Sequence, residues 1–287
     1  DNGSVVTVEG NPFIVNYNGS NSVKLDGIVE GSVNITNTYQ QTVPITFAKY
    51  DVLGNRMNGA KFTLTSETDI PATVKVKENN ATAEGKTITW TTDGTNDVTI
   101  TGLPEGKYTL TETPMTGFKN IGELEFTINS NGYIETSTDT EIPDGYTVST
   151  NSVTVVNKSE ISVSKKDFAD KAKELEGALI TIERTDGNKL IGDVTLSRTG
   201  TTFTETQLTK EQKEAFEKKD GKFDNDETNS KYAKIETKIG FYSDGQPTII
   251  TGLPDGNYTM TEVVAPNGYG EIKTALTFKI ENGKVQR

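Results

Sequence analysis

Two nearly identical phrases, GLPEGKYTLTET at Gly102–Thr113 and GLPDGNYTMTEV at Gly252–Val263, decide the fold of this chain. Each phrase begins with a Gly-Leu-Pro turn and continues as a stretch in which larger apolar residues alternate with threonine. A period of two is typical of a β-strand that has one face on a hydrophobic core. Both stretches end in a glutamate, Glu112 or Glu262, on the face that would otherwise be apolar.

Further matches continue in the same order on both sides of the two phrases. They pair Pro44–Asp51 with Glu160–Asp167, Met57–Leu64 with Leu175–Ile182, and Gly122–Gly132 with Thr274–Gly283. Four ordered matches predict two homologous domains, at residues 42–158 and 159–287. Residues 1–41 do not match the start of a unit, and their last part resembles the end of the first unit. We therefore predict that 1–41 is the C-terminal part of a preceding β domain.

The two units differ in length. Glu112 follows Lys49 by 63 residues, whereas Glu262 follows Lys165 by 97, so the second unit holds about 34 extra residues, which we place near 198–240. Thr209 followed by Gln212 predicts a capped short helix in this insert. The second unit also ends before the position equivalent to the last strand of the first, so we expect that strand to be missing.

The fold class predicted for the chain is all-β. Short alternating segments separated by Asp-Gly, Asn-Gly and Pro-Glu-Gly turns predict tandem antiparallel β-sandwiches of immunoglobulin or prealbumin type, with one short helix in the insert of the last domain.

Composition excludes several classes of function. The net charge of −12 argues against nucleic acid and against an anionic membrane surface as partners. The chain has no Cys and no His, which excludes disulfides, zinc sites with those ligands and His-activated nucleophiles. We predict no cofactor and no metal ion. An enzyme with paired carboxylates is also disfavoured, because Glu112 and Glu262 belong to different domains.

Strand alternation places three polar side chains on core-facing rows of the first unit. Lys49 follows Ile45 and Phe47, Glu112 follows Tyr108 and Leu110, and Asn157 follows Val153 and Val155. Burial of an amine and a carboxyl side by side favours their neutral forms. A neutral amine is a nucleophile, and a protonated carboxyl makes an amide carbon electrophilic. Attack of Lys49 on Asn157 would release ammonia and leave an amide cross-link.

These residues carry a family resemblance that covers residues 42–287. The matching motifs are Lys49-Tyr50-Asp51, Asn58–Phe62, Gly102–Glu112 and Val155-Val156-Asn157 in the first unit, and Lys165-Lys166-Asp167, Leu175–Ala178 and Gly252–Glu262 in the second. The set resembles the Cna B-type, or SpaA-type, domain of Gram-positive surface adhesins and sortase-assembled pilins. The resemblance implies a small prealbumin-like β-sandwich that forms its own Lys–Asn isopeptide bond.

Carried over to this sequence, the resemblance implies a role for each motif residue. Lys49 and Asn157 would be joined, with Glu112 as the catalyst. Asn37 would pair with a lysine upstream of residue 1. Lys165 and Glu262 would require an asparagine beyond residue 287.

The resemblance also implies a function. We expect a structural stalk or pilus subunit, anchored to the cell wall outside the cell, whose partners are other pilin subunits or domains of the same surface protein. The alternative is an adhesin module that binds a host extracellular matrix protein such as collagen through the insert. In neither case is the chain an enzyme acting on an external substrate.

Overall fold

The structure is a computed structural model that describes residues 43–138, 141–190, 193–218, 222–223 and 230–286 in full. Among the first 42 residues it describes the backbone of four strands, which are β1 Gly3–Val8, β2 Asn11–Asn16, β3 Val23–Val29 and β4 Ser32–Asn37. Strand β1 pairs with β2, and β3 pairs with β4, in both cases antiparallel. Both strand pairs fall within residues 1–41, and the side chains of these residues lie outside the described part of the chain.

Eleven strands follow in the first unit. They are β5 Pro44–Asp51, β6 Asn58–Ser66, β7 Lys75–Lys77, β8 Thr82–Glu84, β9 Thr87–Asp93, β10 Val98–Thr101, β11 Gly106–Glu112, β12 Leu124–Ile128, β13 Ile134–Glu135, β14 Tyr146–Val148 and β15 Ser152–Asn157. They form two sheets, with strand orders β14-β15-β5-β10-β7 and β13-β12-β11-β6-β9-β8. In both sheets buried residues alternate with more exposed ones, and the buried side chains of the two sheets form one continuous core.

The second unit repeats this plan with an addition. Its elements are β16 Glu160–Val163, β17 Leu179–Arg184, β18 Thr195–Arg198, β19 Thr201–Thr202, β20 Thr204–Glu205, α1 Lys210–Glu217, β21 Lys231–Lys234, β22 Lys238–Tyr242, β23 Thr248–Thr251, β24 Gly256–Val264, β25 Leu276–Glu281 and β26 Lys284–Gln286. The sheets have the orders β16-β23-β18-β19 and β20-β21-β22-β17-β24-β25-β26. The prediction of tandem β-sandwiches with one short helix is confirmed for the described residues.

Within these largely antiparallel sheets, two strand pairs of the described residues are parallel, β20 with β21 and β5 with β15. The first and last strands of the first unit, β5 and β15, are neighbours and run parallel, with Val155 opposite Lys49 and Asn157 opposite Asp51. A hairpin forces antiparallel pairing, but these two strands are connected through the rest of the unit and are free of that constraint. The parallel pair brings the two ends of the domain together.

The repeated Gly-Leu-Pro phrase forms the same turn in both units. Gly102 and Gly252 have φ values of 87° and 91°, a region that favours glycine. The hydroxyl of Tyr108 donates a hydrogen bond to the carbonyl of Pro104 at 2.9 Å, and that of Tyr258 donates to Pro254 at 2.7 Å. The tyrosine thus anchors the turn to the strand that carries the glutamate.

The insert packs against the outside of the second unit. Thr209 and Gln212 form the predicted capping box at the start of α1. Phe216 lies in the last turn of the helix and is fully buried. It is so close to Gly240 that a Cβ added to Gly240 would be 2.8 Å from Cζ of Phe216. The buried Lys238 donates from Nζ to the carbonyl of Phe216 at 3.1 Å, where a cation stabilises a helix C-terminus.

The two units touch through glycine-containing turns. Gly117 and Gly283 have φ values of 93° and 69°, and a Cβ on Gly283 would lie 2.8 Å from the carbonyl oxygen of Gly117. The backbone N–H of Glu160 also donates to the Gly117 carbonyl at 2.8 Å. Because glycine has no side chain, these backbones approach directly and the units meet without a flexible spacer. Across the described residues, no helix is long and apolar enough to span a membrane.

Candidate functional site

Three strands converge on one polar cluster inside the first unit. Lys49 lies near the end of β5, Glu112 ends β11 and Asn157 ends β15. Each follows alternating buried apolar residues, so each side chain points between the two sheets. All three are buried, with 4%, 5% and 3% of their surfaces exposed. Such burial is unusual for Lys and Glu unless they are paired.

One carboxylate oxygen connects the other two groups. Oε1 of Glu112 accepts a hydrogen bond from Nδ2 of Asn157 at 2.9 Å, and it lies 3.7 Å from Nζ of Lys49. Lys49 is opposite Val155 in the parallel ladder, so Asn157 is two residues further along and on the same face. The amine and the carboxamide therefore approach the same carboxyl oxygen.

Burial changes the protonation of the pair. Removal from water lowers the pKa of Lys49 to about 8, against the opposing effect of Glu112. Removal from water also raises the pKa of Glu112, against the opposing effects of Lys49 and Asn157. Both shifts favour the neutral amine and the neutral acid over the ion pair.

The cluster leaves hydrogen-bonding capacity unused. Nζ of Lys49, Oε2 of Glu112 and Oδ1 of Asn157 are buried atoms without a hydrogen-bond partner in the described structure. Around the lysine, a tight pocket is lined by Phe47, Phe62 and Trp90 among other side chains. Unsatisfied polar atoms in apolar surroundings cost free energy, which is a pattern typical of reactive sites rather than of stable ion pairs.

Sequence reasoning missed Met115 as a neighbour of the site, and it named Asp51 only as part of the Lys49-Tyr50-Asp51 motif, without a role. Met115 lies just beyond β11, and its Sδ is 3.6 Å from Nδ2 of Asn157, so it contacts the carboxamide on the side of its nitrogen. Asp51 accepts hydrogen bonds from the backbone N–H groups of Leu53 and Asn55, both at 2.8 Å. The Lys-x-Asp spacing could have identified the role of Asp51, which closes the turn after β5. Nothing in the sequence marks Met115.

Among the described residues, the equivalent place in the second unit holds two of the three groups. Lys165 Nζ lies 3.1 Å from Oε2 of Glu262, and Oε1 of Glu262 accepts from the backbone N–H of Ile272 at 2.9 Å. The side chain of Lys165 is 14% exposed, compared with 2% for Lys49. Asn37 is the last residue of β4, and its side chain lies outside the described residues.

The site has the parts for one kind of chemistry. An amine, a carboxyl and a carboxamide meet in a tight buried pocket, and these are the groups that an acyl transfer from nitrogen to nitrogen requires. Among the described residues, no group of three or more Asp, Glu, His or Cys side chains is arranged to hold a metal ion.

Comparison of the sequence with models of protein families identifies one family. The family model for the SpaA prealbumin-like fold domain matches the chain twice, over residues 43–142 and 159–287. No curated protein sequence matches the chain significantly.

Solved structures similar to this chain include three pilins. A streptococcal ancillary pilin is 17% identical over 86% of this chain and 61% of its own, with a TM-score of 0.26. The shaft pilin SpaA of Lactobacillus rhamnosus GG is 19% identical over 84% and 94%, with a TM-score of 0.27. The major pilin subunit BcpA of Bacillus cereus is 15% identical over 77% and 64%, with a TM-score of 0.29. This chain covers less than two thirds of the streptococcal and Bacillus proteins.

Proposed function

Because the chain belongs to the SpaA prealbumin-like domain family, we propose that it is a structural segment of a stalk or pilus on a Gram-positive cell surface. In this proposal the first unit stabilises itself with an amide bond between Lys49 and Asn157. The observation that carries the proposal is the buried contact of both side chains with the same oxygen of Glu112.

The reaction uses only groups of the chain. The neutral Nζ of Lys49 attacks Cγ of Asn157 while the protonated Glu112 faces the carboxamide, whose Nδ2 donates a hydrogen bond to Oε1. Glu112 then takes a proton from Nζ and gives one to Nδ2, which leaves as ammonia. Oε1 is suited to this transfer because it is near both nitrogens. The bond formed is an amide, and each chain reacts once, so Glu112 acts as a catalyst within its own domain and on no external substrate.

The position of the bond suits a protein under tension. Force that enters at Pro44 would run along β5 to Lys49, cross to Asn157 and leave from the end of β15. Residues 50–156 would then carry no load. The direct contact of the two units would pass force onward without a slack linker. We therefore assign the partners as further domains of the same surface protein or other pilus subunits, and the location as the cell wall exterior.

Intact mass spectrometry tests the cross-link. We expect the purified chain to weigh one ammonia less than its sequence, and a digest to contain a linked peptide joining Lys49 to Asn157. Glu112→Gln and Asn157→Ala should restore the full mass. Lys107→Ala is the matched control, since Lys107 is an exposed lysine of β11, and it should keep the deficit. A wild-type chain of full sequence mass would disprove the proposal.

A second candidate function is adhesion through the insert. The described residues of the first unit include no counterpart of α1, whose outer face exposes Lys210, Lys213 and Glu214. Deleting the insert would uncover the sheet beneath Phe216, so surface changes are the better test. The double variant Lys210→Glu/Lys213→Glu should lose binding to an immobilised matrix protein such as collagen. Equal binding by wild type and variant, or none by either, rejects this function.

A further inference from the structure

The loop that follows β11, residues 113–118, touches both the cross-linking site and the second unit. Near the middle of this loop, Sδ of Met115 lies 3.6 Å from Nδ2 of Asn157. Toward its end, the backbone carbonyl of Gly117 accepts a hydrogen bond of 2.8 Å from the N–H of Glu160, which begins β16. One short segment thus contacts the carboxamide of the proposed reaction and the neighbouring unit.

The second unit supports the 113–118 loop with a turn that is itself fixed. Gly283, in the turn between β25 and β26, is buried, and a Cβ there would lie 2.7 Å from Cζ of Phe118. Asp255 accepts hydrogen bonds from the backbone N–H groups of Asn282 at 2.5 Å and of Gly283 at 3.1 Å. The half-buried Phe118 therefore packs on a turn whose backbone is tied to the rest of the second unit.

The chain between the units fixes the backbone of the same carboxamide residue. Ser159 lies two residues after Asn157 and is 3% exposed. Its hydroxyl donates to the carbonyl of Leu253 at 2.5 Å, and its carbonyl accepts from the N–H of Gly252 at 2.8 Å. Both partners belong to the Gly-Leu-Pro turn of the second unit, so the position of Asn157 depends on that turn as well.

Met115 also stands between the site and a cavity. It lines a space of about 630 Å³ between the two units, which Lys284 of β26 also lines, while its Sδ touches the carboxamide of Asn157. Water that passed Met115 would solvate the charged forms of Lys49 and Glu112 and would oppose their neutral forms. A fixed Met115 therefore keeps water from the pair and restrains the carboxamide at the same time.

We infer that the docked second unit positions the reactants of the first, so that the bond between Lys49 and Asn157 forms rapidly only while the two units are in contact. The inference rests on the cross-link proposed above and leaves its chemistry unchanged. Gly283 supports the 113–118 loop, and Met115 of that loop packs against the nitrogen side of the carboxamide. Without this support the carboxamide would spend less time in a position that the amine can attack.

The rate of ammonia loss tests the inference in the full chain. Newly synthesised protein, released from a cell-free translation reaction and weighed intact at successive times, gives this rate. Gly283→Ala presses a Cβ against Phe118 and should slow the loss by on the order of tenfold or more, because a displacement of about 1 Å can cost about a hundredfold. Gly268→Ala is the matched control, since Gly268 also has a positive φ, of 84°, but a Cβ there meets no atom within 4 Å. It should react at the wild-type rate.

Substitutions of Met115 test the route by which the second unit acts. Met115→Ala should slow the loss to a similar degree, and Met115→Leu, which nearly conserves the side-chain volume, should restore most of the rate. Adding Gly283→Ala to Met115→Ala should slow the reaction little further, because both changes act on the same contact. The two Met115 variants also carry the test alone if Gly283→Ala does not fold.

The outcomes separate this inference from the proposed function. All of these variants keep Lys49, Glu112 and Asn157, so each should reach the full loss of one ammonia in time. Equal rates for wild type and Met115→Ala, or a Met115→Leu variant as slow as Met115→Ala, would overturn the inference and leave the cross-link standing. A double variant slowed by the product of the two single effects would also overturn it. A wild-type chain that never loses ammonia would instead disprove the proposed function.

Discussion

Nδ2 of Asn157 donates a hydrogen bond of 2.9 Å to Oε1 of Glu112, and both side chains are almost completely buried. The bond points the nitrogen that would leave toward the carboxyl group that would protonate it. The same oxygen is 3.7 Å from the amine of Lys49. This arrangement would hold the three groups of the proposed reaction in place before any bond is made.

The rate of cross-link formation should have a bell-shaped pH profile. The reactive form holds one proton on the pair, with Lys49 neutral and Glu112 protonated. At pH values below the acid limb of the profile, both Lys49 and Glu112 are protonated. At pH values above the alkaline limb, both groups have lost their protons. Burial lowers the pKa of Lys49 to about 8 and raises that of Glu112, so the two limbs should be closer than for exposed groups. Ammonia release after refolding from denaturant measures the rate. A rate that keeps rising to pH 10.5 would rule out a protonated Glu112.

Loss of the cross-link should strongly destabilise the first unit. The bond closes a loop of 109 residues, from Lys49 to Asn157, and closing a loop of that size in the unfolded chain is worth about 4–5 kcal/mol. Glu112→Gln keeps the side-chain volume but removes the proton carrier, so its free energy of unfolding should fall by about that amount. Calorimetry measures the difference, with Lys107→Ala as the cross-linked control. Equal stability of wild type and Glu112→Gln would contradict the structural role of the bond.

The uncross-linked protein should gain stability as the pH rises. Burial lowers the pKa of Lys49 from its ordinary 10.5 to about 8 with Glu112 present, and Glu112→Gln removes a carboxyl that raises this pKa. Between these values the unfolded chain binds a proton that the folded chain lacks, so the free energy of unfolding increases with pH. For Glu112→Gln we expect a gain on the order of 2 kcal/mol from pH 8 to pH 10. The double variant Lys49→Met/Glu112→Gln lacks the amine and should show no such gain.

Substitution at Gly240 should loosen the insert. A Cβ at this position would lie 2.8 Å from Cζ of Phe216, which is fully buried. We expect Gly240→Ala to destabilise the second unit by about 1–3 kcal/mol. Gly245→Ala is the matched control, because a Cβ there meets no atom within 4 Å. Thermal unfolding gives the melting temperature of each variant. Similar melting temperatures for the two variants would show that α1 is not tightly packed on β22.

The sequence allows the site to be located because strand alternation and the internal repeat indicate the same positions. Strand alternation places Lys49 and Glu112 on core-facing rows, and the internal repeat marks the same rows in the second unit. The helix cap at Thr209 is equally local and could be read directly. Such features depend on neighbours along the chain, which is why they are visible before the fold is known.

Features that depend on distant contacts could not be read in this way. The parallel pairing of β5 with β15 joins strands more than one hundred residues apart, and no turn motif encodes it. Met115 contacts Asn157 from an irregular segment, where no periodicity assigns a face. The packing of Phe216 against Gly240 likewise appears only when the insert is folded back on its sheet.

Mechanical pulling should separate the cross-linked unit from one without the bond. When the chain is stretched from both ends, a bond between Lys49 and Asn157 shields residues 50–156 from force, so the first unit should add no unfolding length. In Glu112→Gln the same unit should unfold and lengthen the chain by on the order of 350 Å, given about 3.4 Å per extended residue. Single-molecule force spectroscopy measures these steps, and Lys107→Ala should behave as the wild type. A wild-type trace that contains the long extension from the first unit would show that force does not pass through this bond.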